Sequence, residues 1–254
     1  MYRDYDLDRV DRCPIDIYVA SNMPTKYPWK LQKPSTVNDR VRDTAETFIM
    51  DSGIGDDVSN KEVLNLALEY NAEYVVAKDE LHDFAATTQN VFEFLELYEG
   101  HDCEATVMVP VQCDPKTNRW HADHIDDLPD HSHYVLGGMA VDEVGTTEQI
   151  KAIKGFREKV GPKPYVHGLG VGGGIEFVSK VAGKGWLDSV DCATPEMAGQ
   201  FGSILDERLR QKQVRVMSGD GASKRNIPLS EFNSWQLKDV WDREAAQSGL
   251  ESWG

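Results

Sequence analysis

The chain has 254 residues, enough to bury one large α/β core or two small ones. It holds no run of about 18 apolar residues, which excludes a membrane-spanning helix. Its net charge of −16, from 43 acidic and 27 basic residues, argues against bulk attraction to phosphates. A salt-adapted protein is the other reading of that charge: at molar salt the screening length falls to about 3 Å, and local patches then outweigh net charge.

The N-terminus, Met-Tyr-Arg-Asp-Tyr-Asp, lacks a basic region followed by an apolar core. No secretory signal is therefore expected, and a cytoplasmic location is. Short apolar or β-branched runs then follow at residues 15–20, 47–50, 74–77, 106–111, 134–139, 165–169, 189–193 and 214–217, giving eight candidate strands. Helical spacing separates most of them, at 61–70, 87–98, 147–160, 174–182 and 197–210. Residues 21–43 read as a long, proline-containing connection. Residues 113–133, rich in Asp, His and Pro, show no helical period. A tail helix at about 230–246 would close the barrel bottom. The four cysteines, Cys13, Cys103, Cys113 and Cys192, form no CxxC pair and read as reduced thiols.

Alternating strands and helices imply parallel strands joined by right-handed crossovers. Eight units predict a single (β/α)8 barrel domain over 1–254, with an open doubly wound sheet as the rival. In a barrel the reactive groups sit where strands run into the following loops. Those ends are polar or glycine-rich here: Asp51-Ser52-Gly53, Lys78-Asp79-Glu80, Gln112-Cys113-Asp114, Gly137-Gly138-Met139, His167-Gly168-Leu169-Gly170 and Asp191-Cys192.

Two roles fit Asp51 and Asp191 from spacing alone. Each can cap the helix after its strand, or the pair can act as the two carboxylates of glycosyl transfer. The glycines of 168–174 serve as turn formers or as a phosphate cradle. His82, His121, His124, His131 and His133 show no recognised metal-ligand spacing, so no metal site is expected. Asp79 and Asp83 flank His82, either to orient its imidazole or as parts of a surface turn.

The order of motifs resembles the tRNA-guanine transglycosylase superfamily over roughly residues 45–200. Asp51-Ser52-Gly53 is similar to the Asp-Ser-Gly-Gly signature, whose Asp is an acid/base residue. Gly137-Gly138-Met139-Ala140-Val141 resembles a Gly-Gly-Leu-Ala-Val strand whose backbone contacts the base. Residues 165–170 resemble Leu-Met-Gly-Val-Gly, which brings in Gly168 and Leu169. Asp188-Ser189-Val190-Asp191-Cys192-Ala193-Thr194-Pro195 resembles the motif whose second Asp is the nucleophile.

The chain also departs from that pattern. No cysteine follows Cys192, so the family's zinc-binding Cys cluster is absent. The family's base-reading Asp falls near Val111 and its stacking aromatic at Gly55. Base reading then passes to Asp79, Gln112 or Asp114. These features resemble the compact, often virus-encoded branch that inserts 7-deazaguanines into DNA, and would place the protein in a host cytoplasm. The resemblance implies an enzyme in which Asp191 attacks the sugar and Asp51 moves the proton, with no cofactor. The partners it implies are DNA, or tRNA as the alternative, and a 7-deazaguanine base. A non-catalytic nucleic-acid-binding barrel and a glycoside hydrolase are the remaining readings. Phosphate contacts are expected from Lys224, Arg225, Lys212 and Arg215, and from Lys26, Lys30 and Lys33.

Overall fold

The computed structural model describes residues 15–141, 144–214 and 222–251. Eight parallel strands close into a barrel: β1 (Asp16–Ala20), β2 (Trp29–Gln32), β3 (Thr47–Met50), β4 (Tyr74–Val76), β5 (Thr106–Val111), β6 (His133–Leu136), β7 (Tyr165–Gly168) and β8 (Ser189–Cys192). Closure is made by β8 on β1, with Asp16 opposite Ser189 and Tyr18 opposite Asp191. The helices are α1 (Asp39–Arg42), α2 (Asn60–Glu69), α3 (Phe84–Glu99), α4 (His121–His124), α5 (Thr146–Val160), α6 (Ile175–Val181), α7 (Thr194–Gln200) and α8 (Ala222–Glu251). The fold is a (β/α)8 barrel.

Barrel membership differs from the sequence reading at one strand. Of the strand expected at 214–217, Val214 follows the short hairpin of β9 (Ser203–Leu205) and β10 (Gln211–Gln213), and 215–217 lie outside the described residues. The missing strand is Trp29-Lys30-Leu31-Gln32, inside the segment read as a connection. Its alternation hides it. Leu31 and Trp29 pack in the barrel interior, while Lys30 is wholly buried on the other face. The Lys30 ammonium donates to the Thr25 carbonyl at 2.6 Å, to the Thr25 hydroxyl at 2.9 Å and to the Thr44 hydroxyl at 3.0 Å. Burial still pushes Lys30 down to about 8.

Two helices also differ from their expected spans. The helix expected over 197–210 ends at Gln200, and Gly202, at φ +70°, turns the chain into β9. The tail helix is longer than 230–246. It lies along the outer wall against α7, α6 and β9 rather than across the barrel bottom. There Trp235 meets the Tyr27 ring at 5.1 Å, and the Trp241 indole donates to the Gly172 carbonyl at 3.2 Å.

The interior belt is apolar over six strands, with Tyr18, Leu31, Ile49, Val76, Met108 and Val135. On β7 and β8 the inward positions are His167, Ser189 and Asp191 instead, all buried. Their neighbours Val166 and Val190 face the larger core between strands and helices. This polar sector leads to the C-terminal mouth.

Candidate active site

A cavity of about 430 Å³ opens at that mouth. Its walls include Asp51 after β3, Gly137 and Gly138 after β6, Leu169 and Gly170 after β7, and Asp191 on β8. Ser21, Asn22, Lys33 and Thr36 complete the side toward β1 and β2.

Neither carboxylate is a helix cap. The N-cap of α2 is Ser59, in a capping box with Glu62, and the N-cap of α7 is Ala193. Asp191 is instead held from behind. Its Oδ1 accepts from the Gly170 N–H at 2.9 Å and from His167 Nε2 at 3.1 Å. Both bonds fall on one oxygen, so Oδ2 takes neither. Gly170 presents its N–H at φ +67°, and a Cβ there would stand 2.7 Å from the Ala140 methyl.

Asp51 sits in a contrasting environment. Burial, then the charges of Asp79 and Asp191, push it up to about 7, against the pull of the Ser52 and Gly53 N–H groups. At neutral pH it can therefore give or take a proton. Asp79 is buried behind this wall, and burial raises it to about 6 despite hydrogen bonds from Ser52 and Gln112. The Ser52 hydroxyl donates to Asp79 Oδ1, and the Gln112 amide donates to Oδ2.

Asp79 and Gln112 thus lie beneath the glycine wall rather than on the cavity surface. A Cβ on Gly137 would stand 2.5 Å from Gln112 Nε2 and 3.3 Å from Asp79 Oδ2. Only glycine fits between that pair and the cavity. The backbone above them is braced by two histidines. His121 Nε2 donates to the Gly137 carbonyl at 2.8 Å, and His82 Nε2 meets the Gly138 carbonyl at 3.1 Å. Burial holds His121 down at about 4, so its ring is neutral. His124 is buried too, its Nδ1 accepting from the Gln112 N–H at 2.9 Å.

The remaining expected site residues fall elsewhere. The Met139 side chain packs in the core between strands and helices. Gly168 lies against Val171 and Leu187, one residue short of the cavity wall. Asp114 is the N-cap of a 3-10 turn over Pro115–Thr117. Asp83 caps α3 by accepting from the Ala86 N–H at 3.0 Å, and the His82 ring meets the Gly138 carbonyl. Of the basic groups, Lys33 lines the cavity and pairs with Asp56 at 3.4 Å. Lys30 is buried and cannot reach a phosphate. Lys26 is exposed, and Lys212 pairs with Asp206 at 3.4 Å. Lys224 and Arg225 fall at the start of α8, and Arg215 lies outside the described residues. Among the described residues no group of three His, Cys, Asp or Glu is placed to hold a metal ion.

No protein-family model matches the chain, and no curated protein matches it significantly.

Two buried groups at the site have no role assigned from sequence. His167 is read there only as part of a polar strand end. The other is Glu196, buried in the first turn of α7, whose carboxylate accepts from the Asn22 N–H at 2.8 Å, the Met23 N–H at 3.2 Å and the Ser21 hydroxyl at 2.5 Å. It fixes the loop after β1 that walls the cavity. No spacing in the sequence connects residues 21 and 196.

Proposed function

We propose that the protein is a base-exchange transglycosylase that replaces guanine in DNA with a 7-deazaguanine. The observation that carries this reading is the division of labour between two carboxylates on one cavity. Asp191 is tethered through Oδ1 by two N–H donors, and Asp51 is raised to about 7 by burial and by neighbouring charge. Two carboxyl groups with environments this different suit one nucleophile and one proton carrier.

The steps balance. Asp191 Oδ2 forms a bond to the sugar C1′ as the C1′–N9 bond breaks, its electron pair passing to guanine. Protonated Asp51 supplies the proton that guanine takes. The incoming 7-deazaguanine gives its ring N–H proton to the Asp51 carboxylate, and its nitrogen attacks C1′. Asp191 leaves as a carboxylate. Two easier displacements thus replace one hard one. The glycine wall gives a flat base a surface without side chains, and a cavity of about 430 Å³ is of small-ligand size. A nucleotide must leave its helix to enter.

The polymer and the base come from the resemblance of the motifs around Asp51, Gly137, Gly168 and Asp191. They are tested together. Labelled guanine, and separately a labelled 7-deazaguanine, is offered with heat-melted bacterial DNA and with bulk tRNA. Label entering DNA and not tRNA is expected. Label in tRNA alone overturns the polymer assignment and keeps the chemistry. Label in neither overturns the transglycosylase reading.

A further inference from the structure

Two loops at the cavity mouth share one construction. After β3, residues 53–56 form a turn in which the Asp56 N–H donates to the Gly53 carbonyl at 2.7 Å and Gly55 takes φ +83°. After β4, residues 80–83 repeat it: the Asp83 N–H donates to the Glu80 carbonyl at 3.1 Å and His82 takes φ +61°. A closing hydrogen bond, with φ positive at the third residue and not at the second, is the pattern of a type II turn. The second residue of each turn is a large aliphatic, Ile54 in one and Leu81 in the other. They are 36% and 45% exposed, and both line the cavity.

Both turns are anchored. A Cβ on Gly53 would stand 2.7 Å from the Pro34 ring, and Asp56 accepts from the Ser35 N–H at 2.9 Å. The Glu80 carbonyl also accepts from the Thr87 hydroxyl at 3.1 Å, and the His82 N–H donates to Gln112 Oε1 at 3.3 Å. With its ring against the Gly138 carbonyl, His82 is kept in the left-handed region, where residues other than glycine are uncommon. Single exposed aliphatics are ordinary on a protein surface. Here two hold the same place in matched turns after adjacent strands, at the mouth of one cavity.

The charges around that mouth are uneven. The rim that carries Ile54 and Leu81 also carries Asp57, Glu80 and Asp83, all exposed. Its lysine, Lys78, donates to the Val58 carbonyl at 2.8 Å and pairs with Glu80 at 3.8 Å. The cation on the cavity wall, Lys33, comes instead from the end of β2. A polyanion seated here keeps its phosphates on the Lys33 side and turns uncharged surface toward Ile54 and Leu81. The uncharged surface of a nucleotide strand is the faces of its bases.

We propose that Ile54 and Leu81 are the contact surface for the bases that flank the exchanged guanine. This inference rests on the transglycosylase reading. A nucleotide that enters the cavity leaves its neighbours without a stacking partner. The two aliphatic side chains take the place it vacates and cover the exposed base faces, as apolar wedges do between the base steps of kinked DNA. The turns are set before the strand arrives, so the contact costs little ordering. It is made to base faces rather than edges and therefore tolerates any flanking sequence. Because it involves no phosphate, it also holds at high salt. Neither side chain touches a reacting atom, and both act on binding.

The test uses the full chain and two pools of end-labelled, single-stranded DNA oligonucleotides. Each oligonucleotide carries one central guanine in a random sequence of the other three bases; in the second pool both flanking positions are abasic. Affinity is read by fluorescence anisotropy, and exchange by entry of labelled guanine. The wild type should bind the abasic pool about tenfold more weakly than the intact pool. The double variant Ile54→Ser, Leu81→Ser should bind the intact pool about tenfold more weakly than the wild type and lose nothing further on the abasic pool. Its KM for the intact pool should rise by the same factor, with kcat within about twofold. The pair Ile54→Val, Leu81→Met keeps the aliphatic surface and should bind within about threefold of the wild type. Equal binding of the two pools by the wild type, a further loss by the serine variant on the abasic pool, or an equal loss in the conservative pair overturns the proposal and leaves the chemistry standing. Absence of binding to either pool overturns it as well. The expected binding pattern without any exchange by the wild type would keep the contact surface and remove the transglycosylase reading.

Discussion

Replacing Asp51 by Asn should stabilise the protein at alkaline pH while removing its activity. Asp51 rises from the ordinary 3.8 to about 7 on folding, because burial and the Asp79 and Asp191 charges disfavour its ionised form. Well below pH 4 the group is protonated in both states and costs nothing. Between 4 and 7 the unfolded chain ionises while the folded protein holds its proton, so stability falls as pH rises. Above 7 the full cost is present. Roughly three units at about 1.4 kcal/mol each set a ceiling of about 4 kcal/mol. Asp51 keeps part of its surface on the cavity, so solvent screening lowers this to about 1–2 kcal/mol. Urea melts of wild type and Asp51→Asn at about pH 3 and pH 8 measure it. The variant should be more stable at pH 8, and the two should converge at about pH 3. A gain of equal size at both pH values, or no gain at pH 8, would refute the argument that Asp51 is held ionised against its surroundings. Exchange by the same variant should fall about 10²-fold or more, the usual range for an acid–base group.

Other outcomes follow from the same geometry. Asp191→Asn should abolish exchange and any denaturant-stable protein–DNA adduct while the circular dichroism spectrum stays native; an adduct at wild-type level removes Asp191 as nucleophile. Gly137→Ala should destabilise by about 1–3 kcal/mol and raise the KM for the base, because its methyl meets the Gln112 amide at 2.5 Å; denaturant melts and exchange kinetics measure the two effects. Glu196→Gln turns an acceptor toward the Asn22 and Met23 N–H groups into a donor, so amide exchange at those two residues should speed up, at a stability cost of about 1–3 kcal/mol. Lys33→Ala should weaken DNA binding alike across sequences and reduce the salt slope by about 1, measured by titration at several salt concentrations.

The sequence carried the barrel best where a strand is continuously apolar. Thr106–Val111 is buried on both faces and reads as a single run. Trp29–Gln32 is equally a barrel strand, but Lys30 and Gln32 make it look like a loop. The burial of Lys30 depends on Thr25 and Thr44 oxygens that only the fold brings to it. The site divides in the same way. Asp51, Asp191 and the Gly137–Gly138 pair are legible because each ends a strand in a recognisable local pattern. His167 is visible in the sequence only as a polar residue before a glycine run. Its meaning lies in Ser189, 22 positions later, across a strand pairing. Gln112 and Asp79, read as base contacts, form a buried pair instead, because the glycine wall stands between them and the cavity.

The connection from β1 to β2 carries no helix among its described residues, and α8 covers that side of the barrel. Trp235 packs against Tyr27, and Glu231 accepts from the Lys26 N–H at 3.0 Å. During synthesis β1 therefore stays unroofed until residues beyond 230 have left the ribosome. Its partner β8 is also made late, so one flank of β1 waits with its backbone groups unpaired. A chain with this wiring has few long-lived native stopping points along its length, and closure joins β1 to β8 in one late event. Ribosome-stalled chains ending before α8 should bind a hydrophobic dye strongly, and release of the full-length chain should extinguish that signal in a single step.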